Sequence, residues 1–211
     1  MHHKKQNIVI VDYGMGNLRS VSKKVKQIGY EALISNNKTD ILKANKLILP
    51  GVGHFENGMN KLRELDLISS LNEKVLVDKT PILGICLGMQ LFTKYSEEGN
   101  VKGLAWVDAE TIKFKNLGIK FKIPHMGWNS INLQKSSSLF NKFDSEHLYY
   151  FVHSYYVSCN NENDILATTN YNTNFVCALQ KDNVFGVQFH PEKSHEWGEQ
   201  IIKNFIEMDH V

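Results

Sequence analysis

Apolar positions along this chain follow two rhythms. Short runs at residues 8–11, 46–49, which opens on Lys46, and 81–85 have the length and flanks of strands buried on both faces. Between them, Leu18, Val21, Val25 and Ile28 recur at helical spacing before Gly29, and Phe55, Met59, Leu62 and Leu65 form a second amphipathic stripe. Residues 31–34 read as a further short strand, and Pro50 closes the run at 46–49. Strands alternating with helices predict a mostly parallel central sheet with helices on both faces, a three-layer α/β arrangement. After about residue 100 the rhythm changes. Segments 104–114, 149–157, 165–169, 175–180 and 184–189 read as strands with few helices between them, which adds an antiparallel region beside the parallel core. Ile201, Ile202, Phe205 and Ile206 predict a closing helix. With no internal repeat and no Pro- or Ser-rich linker, residues 1–211 read as one domain.

Composition narrows the function classes. A chain of 211 residues, 42% hydrophobic and 22% charged, is long enough to bury a full sheet. A net charge of +2 gives no argument for nucleic acid or a membrane surface. There is no run of about 18 apolar residues to span a bilayer. The N-terminus, which opens with the adjacent His2 and His3, lacks the long apolar core of a signal peptide. Nine histidines are scattered rather than grouped, so no metal site is expected. Gly14-Met15-Gly16-Asn17 lacks the third glycine of a dinucleotide fingerprint, and no other cofactor site is expected either. Cys86, Cys159 and Cys177 are odd in number and lack CxxC spacing, which argues against disulfides and structural zinc and points to a reducing cytoplasm.

The chemistry is concentrated at two places. Cys86 sits in Gly84-Ile85-Cys86-Leu87-Gly88-Met89-Gln90, after the apolar run at 81–85. A strand–turn–helix elbow presents a nucleophile at the C-terminal edge of a sheet, and the helix N-terminus that follows favours a thiolate. The competing reading is a buried structural cysteine at a strand end. Near the C-terminus, His190 and Glu192 follow the strand-like segment 184–189, two residues apart, so that in extended chain they point the same way. A cysteine nucleophile needs a base, and the base needs an orienting acceptor. A solvated His and Glu in a loop is the alternative there.

Gly84-Ile85-Cys86-Leu87-Gly88-Met89-Gln90 together with Phe189-His190-Pro191-Glu192 resembles the triad-type (class I) glutamine amidotransferases. Within that family the chain is most similar to the glutaminase subunits of imidazole glycerol phosphate synthases. Asp12-Tyr13-Gly14-Met15-Gly16-Asn17-Leu18, Leu49-Pro50-Gly51-Val52-Gly53, Pro124-His125-Met126-Gly127-Trp128-Asn129 and Tyr150-Phe151-Val152-His153-Ser154-Tyr155 carry this narrower resemblance, which runs from Asn7 to Met208.

The resemblance implies glutamine hydrolysis with Cys86 as nucleophile, His190 as general acid/base and Glu192 as its orienter. The turn after Cys86 offers the Leu87 amide to an oxyanion. The resemblance assigns a second amide to Val52, in a segment whose glycines Gly51 and Gly53 give a peptide room to flip. Gln90, one helical turn past Cys86, is placed to face the same pocket. Glu98 matches the position that binds the substrate ammonium, and His153, Ser154 and Tyr155 the segment that holds its carboxylate end. The implied partner is a cyclase subunit, a (β/α)₈ barrel forming a heterodimer and receiving ammonia directly. Asn17, His125, Met126, Trp128, Tyr150 and Lys193 are the matching interface positions, with Trp128 in an exposed turn. The same chemistry serving a sugar amidotransferase of surface-polysaccharide synthesis is the alternative acceptor. A cysteine hydrolase of another kind and a non-catalytic subunit are the more remote alternatives.

Overall fold

A computed structural model describes residues 7–115 and 122–208; His2 and His3 lie outside them. The N-terminal half alternates as its periodicity predicts. It runs through β1 (Ile8–Val11), α1 (Leu18–Gln27), β2 (Ala32–Ser35), β3 (Lys46–Gly51), α2 (Phe55–Glu64), β4 (Ile82–Cys86) and the single turn α3 (Leu87–Gln90). Val21 and Val25 of α1 and Phe55, Met59 and Leu62 of α2 are buried, as their spacing requires. Gly29 follows α1 with φ +91°, a conformation that costs glycine little and ends the helix.

The later half supplies β5 (Ala109–Lys113), β6 (His125–Ser130), β7 (Leu148–His153), β8 (Tyr155–Cys159), β9 (Ile165–Asn170), β10 (Asn174–Lys181), β11 (Val184–Val187) and the closing helix α4 (His195–Glu207). The main sheet runs β2-β1-β3-β4-β11-β10-β8-β5 and ends at the short strands Tyr95–Ser96 and Val101–Lys102. The pairs from β2 to β11 are parallel, and those from β11 to β5 are antiparallel. Strands β1, β3, β4 and β11 are buried throughout, as apolar runs covered on both faces must be. Two apolar clusters hold the layers together. One joins Val21 and Val25 to Ile201, Ile202 and Phe205; the other joins Leu47 and Leu49 to Phe55, Met59, Leu62 and Leu87. No helix among the described residues is long and apolar enough to cross a membrane.

Four expectations change. Of segment 104–114 only β5 is a strand. Residues before it wrap back over the elbow, with Leu104 and Trp106 donating to the Leu91 and Phe92 carbonyls at 2.8 and 2.9 Å. They are apolar because that loop is packed, with Trp106 buried. Segment 149–157 is not one strand. It breaks at Ser154 into β7, which pairs only with β6 in a separate two-stranded ribbon, and β8, which belongs to the main sheet. Trp128 therefore lies in a strand, opposite Tyr150, rather than in a turn. Strand β11 ends at Val187, two residues early, because Gln188 still donates to Cys177 while His190 has switched to the Tyr150 carbonyl of the ribbon.

Candidate active site

Cys86 ends β4 at the C-terminal edge of the parallel strands, beside β3, where Gly51 is its register partner. Its φ is +54°, a conformation costing a non-glycine residue about 1–3 kcal/mol. The strain points the thiol away from the sheet, and Cys86 remains 6% exposed. The helix that follows is only four residues long. A full helix macrodipole is therefore absent, and local N–H groups must do the work expected of it.

His190 and Glu192 come together, though not through extended chain. His190 leads into a 3-10 turn, Pro191–Lys193, and His190 Nδ1 lies 2.9 Å from Glu192 Oε1. Both side chains are almost fully buried. Ser194 locks this turn to the ribbon: its hydroxyl donates to the His190 carbonyl at 2.7 Å and accepts from the Tyr150 amide at 3.0 Å. With Nδ1 committed to the carboxylate, His190 Nε2 has no hydrogen-bond partner among the described residues. Burial depresses the imidazole, but the Cys86 thiolate and then Glu192 outweigh it, so the net shift is upward. The buried Tyr13 hydroxyl, also without a hydrogen-bond partner among the described residues, is raised by burial and by Cys86 as well.

A cavity of about 300 Å³ opens on Cys86. Val52, Gly53, Leu87, Gln90, Glu98, Pro124, Val152, His153, Ser154 and Tyr155 line it. Its size suits one amino acid. The break at Ser154 serves it directly, since it turns the chain from ribbon to sheet along the cavity wall. Glu98 Oε2 accepts from the Phe55 amide at 2.8 Å, leaving its other oxygen for a ligand. Gln90 Nε2 donates to the Tyr155 carbonyl and to Gln188 Oε1, each at 3.0 Å, so only its oxygen remains to meet a ligand.

The positions expected at a partner interface divide. Met126 and Trp128 lie on one face of the ribbon, 61% and 44% exposed, so Trp128 is not a core residue. The Lys193 ammonium stands 5.4 Å from the Tyr150 ring, and Tyr150 packs edge-on against Trp128. Asn17 is exposed at the start of α1. His125 is on the opposite, buried face, stacked on Phe151 and Tyr171, with Nδ1 3.0 Å from His153 Nε2. Gln188, Tyr13 and Ser194 were not singled out from sequence. A glutamine inside the apolar segment 184–189 was the available signal for the first.

These histidines set a pH dependence. Burial holds His125 down to about 4. Burial, only partly relieved by the Tyr155 carbonyl, holds His153 down to about 3. As pH falls below the ordinary value of 6.5, the unfolded chain takes up protons that the folded one refuses, so stability falls toward pH 3. His190 has the opposite sign. Its contribution is complete below 6.5 and is lost as pH rises through its raised folded value. The urea midpoint is therefore expected to peak near pH 6.5 and decline on both sides. A midpoint that stays level from pH 6.5 to 4 would contradict a neutral buried pair.

Comparison with known proteins agrees with this geometry. The model of the class I glutamine amidotransferase family matches residues 9–208. Imidazole glycerol phosphate synthase subunit HisH 2 of Methanococcus maripaludis is 53% identical over 94% of this chain and 98% of its own length. The protein of the same name from Pseudomonas aeruginosa is 44% identical over 95% of this chain and 99% of its own. A crystal structure of a glutamine amidotransferase superimposes with a TM-score of 0.74, at 17% identity, over 94% of this chain and 97% of that one; at that identity the likeness is one of fold. Cys86 at a strained strand-to-helix elbow, beside a buried His–Glu pair, is thus found in a chain that belongs to the class I glutamine amidotransferase family, close to its HisH subunits.

Proposed function

We propose that this protein is the glutaminase subunit of an imidazole glycerol phosphate synthase. It hydrolyses glutamine to glutamate and ammonia and passes the ammonia to a cyclase subunit, which forms imidazole glycerol phosphate and AICAR in histidine biosynthesis. The observation that carries the activity is Cys86 at φ +54° on the cavity floor, next to a His190 held at 2.9 Å by Glu192. The relative at 53% identity supports the pathway.

The Cys86 thiolate attacks the side-chain amide carbon of glutamine, and the amides of Val52 and Leu87 receive the oxyanion. His190 gives a proton from Nε2 to the departing nitrogen, leaving a thioester and ammonia. It then takes a proton from water as that water opens the thioester, and glutamate and the thiolate are released. Glu192 holds the ring so that Nε2 faces the sulfur. The free oxygen of Glu98 meets the substrate ammonium. Gln90 reads a donor on the substrate through its one uncommitted oxygen. Gly51 and Gly53 allow the Val52 peptide to turn its N–H inward, and His153, Ser154 and Tyr155 hold the carboxylate end.

Met126, Trp128 and Tyr150 form a mostly apolar, aromatic face with the Lys193 ammonium over it, and Asn17 is exposed as well. That chemistry supports docking of a (β/α)₈ cyclase as a heterodimer, with an aromatic anchor at the centre. His125 contributes from behind by fixing the ribbon. A reducing cytoplasm suits the free thiols.

The test is glutamate release from glutamine by this chain alone and with a cyclase subunit loaded with its nucleotide substrate. We expect strong activation by the loaded cyclase. Hydrolysis that ignores the cyclase would assign the ammonia to another acceptor, and no hydrolysis in either setting would overturn the glutaminase.

A further inference from the structure

One main-chain carbonyl orients the Gln90 and Gln188 amides and the His153 imidazole beside the nucleophile. The Tyr155 carbonyl only accepts hydrogen bonds. Gln90 Nε2 reaches it at 3.0 Å, so the Gln90 amide is fixed with its nitrogen on that side. The same nitrogen lies 3.0 Å from Gln188, which must then present its oxygen, Oε1. Gln188 Nε2 is left facing Cys86 Sγ at 3.5 Å. Flipping Gln90 would set its oxygen against the Tyr155 carbonyl, and flipping Gln188 would set its NH2 against that of Gln90. His153 Nδ1 also reaches the Tyr155 carbonyl, at 2.7 Å, and so carries a hydrogen. His153 Nε2 then accepts from His125 Nδ1 at 3.0 Å. Gln188 is fully buried, so neither water nor a second rotamer competes for its place.

We infer that Gln188 is a further catalytic residue, whose amide N–H donates to the Cys86 thiolate and holds the sulfur in position, with Gln90 and the Tyr155 carbonyl fixing that amide's direction. With only a single helical turn after Cys86, this donor takes over part of what a longer helix would supply. It also leaves His190 Nε2 free to handle the substrate's proton rather than to hold the sulfur alone. The titratable groups around Sγ are His190 with Glu192 behind it, Tyr13, and His153 and Glu98 across the cavity. The substitution below leaves all of them in place.

The readout is the rate of Cys86 alkylation by iodoacetamide against pH, followed on the Cys86 peptide by mass spectrometry in the full chain. Gln188→Met keeps the volume and removes the donor. One charge-assisted hydrogen bond is worth about a ten- to hundred-fold change in thiolate population, so the alkylation midpoint should move up by about one to two pH units. At neutral pH, kcat/KM for glutamine should fall less, about three- to ten-fold, because a more basic thiolate is also the stronger nucleophile. A packing role alone would lower the melting temperature and leave the midpoint in place; that result overturns the inference. Should Gln188→Met not fold, the parent protein decides. The Gln188 side-chain amide NMR signals should move with the same midpoint as alkylation, and signals that stay put through that range overturn the inference equally.

Discussion

Replacing the nucleophile, Cys86→Ala, is expected to lower glutamine hydrolysis by about 10⁴- to 10⁶-fold while leaving the fold intact. Among the described cysteines only Cys86 opens on the cavity, since Cys159 is half-buried elsewhere and Cys177 is fully buried in β10. Binding and oxyanion donors would survive, which is why a residual rate above water is expected rather than none. Stability should change little. The Gln188 donor, a long contact from Sγ to the Val152 carbonyl at 3.9 Å and the attraction between the thiolate and His190 are lost, so the stability that remains should depend less on pH above 6.5. Cys86→Gly separates strain from chemistry: it should be as inactive as Cys86→Ala but melt higher, because glycine accepts φ +54° without the penalty a side chain pays. Glutamate release and thermal melting on the two variants check both statements. Turnover in Cys86→Ala within about tenfold of the parent would move the nucleophile elsewhere.

The largest structural effect is expected at Gly88, two residues after Cys86. A Cβ there would stand 1.7 Å from the Leu49 carbonyl oxygen and 2.8 Å from its carbon. These are backbone atoms of β3, the strand that runs into Gly51 and Val52, so no side chain can swing away. Relief requires β3 and the elbow to separate, against a ladder in which Leu49 pairs with Gly84 and Gly51 with Cys86. Gly88→Ala should cost at least about 3 kcal/mol of stability. In whatever folds, Val52, which lines the cavity with Cys86, would be displaced, and hydrolysis should fall by about 10² or more. Gly58→Ala is the control. Its Cβ meets only the ends of Leu91 and Leu87 side chains, at 3.3 Å or more, and it should remain within about 1 kcal/mol of the parent. Urea unfolding of both variants measures the difference. A Gly88→Ala protein as stable as its control would mean that the strand and elbow have slack the geometry denies.

Both effects arise at residues the chain advertises locally. The apolar run before Cys86, the glycines on either side of it and the His190-Pro191-Glu192 sequence are short-range features, and short-range sterics decide the elbow and the 3-10 turn. The parallel half of the sheet was legible for the same reason. A strand buried on both faces must be apolar or have its polar groups paired; β1 and β4 are apolar throughout, and β3 departs only at Lys46, whose ammonium donates to the Met208 carbonyl at 2.7 Å. Ile8 to Val11 and Ile82 to Cys86 have no other way to satisfy the burial pattern of their neighbours. Alternation is a weaker signal. Residues 149–157 alternate equally well on both sides of Ser154, so periodicity alone does not reveal that β7 leaves the main sheet. That choice depends on what lies opposite, His125–Ser130 for one strand and Ala109–Lys113 for the other.

The sequence by itself therefore determined the alternation of the parallel half, the elbow that strains Cys86, and the three residues, Cys86, His190 and Glu192, proposed to act there. These depend on residue size, backbone freedom and spacing within a few positions. Only the tertiary structure decided how distant groups share acceptors. Gln90, Gln188 and His153 lie far apart in the chain, and their hydrogens are assigned by one carbonyl, Tyr155, which each reaches directly or through another. A buried donor must find an acceptor wherever the fold brings one, so the direction of the amide at Cys86 is a property of the packed molecule and not of any segment within it.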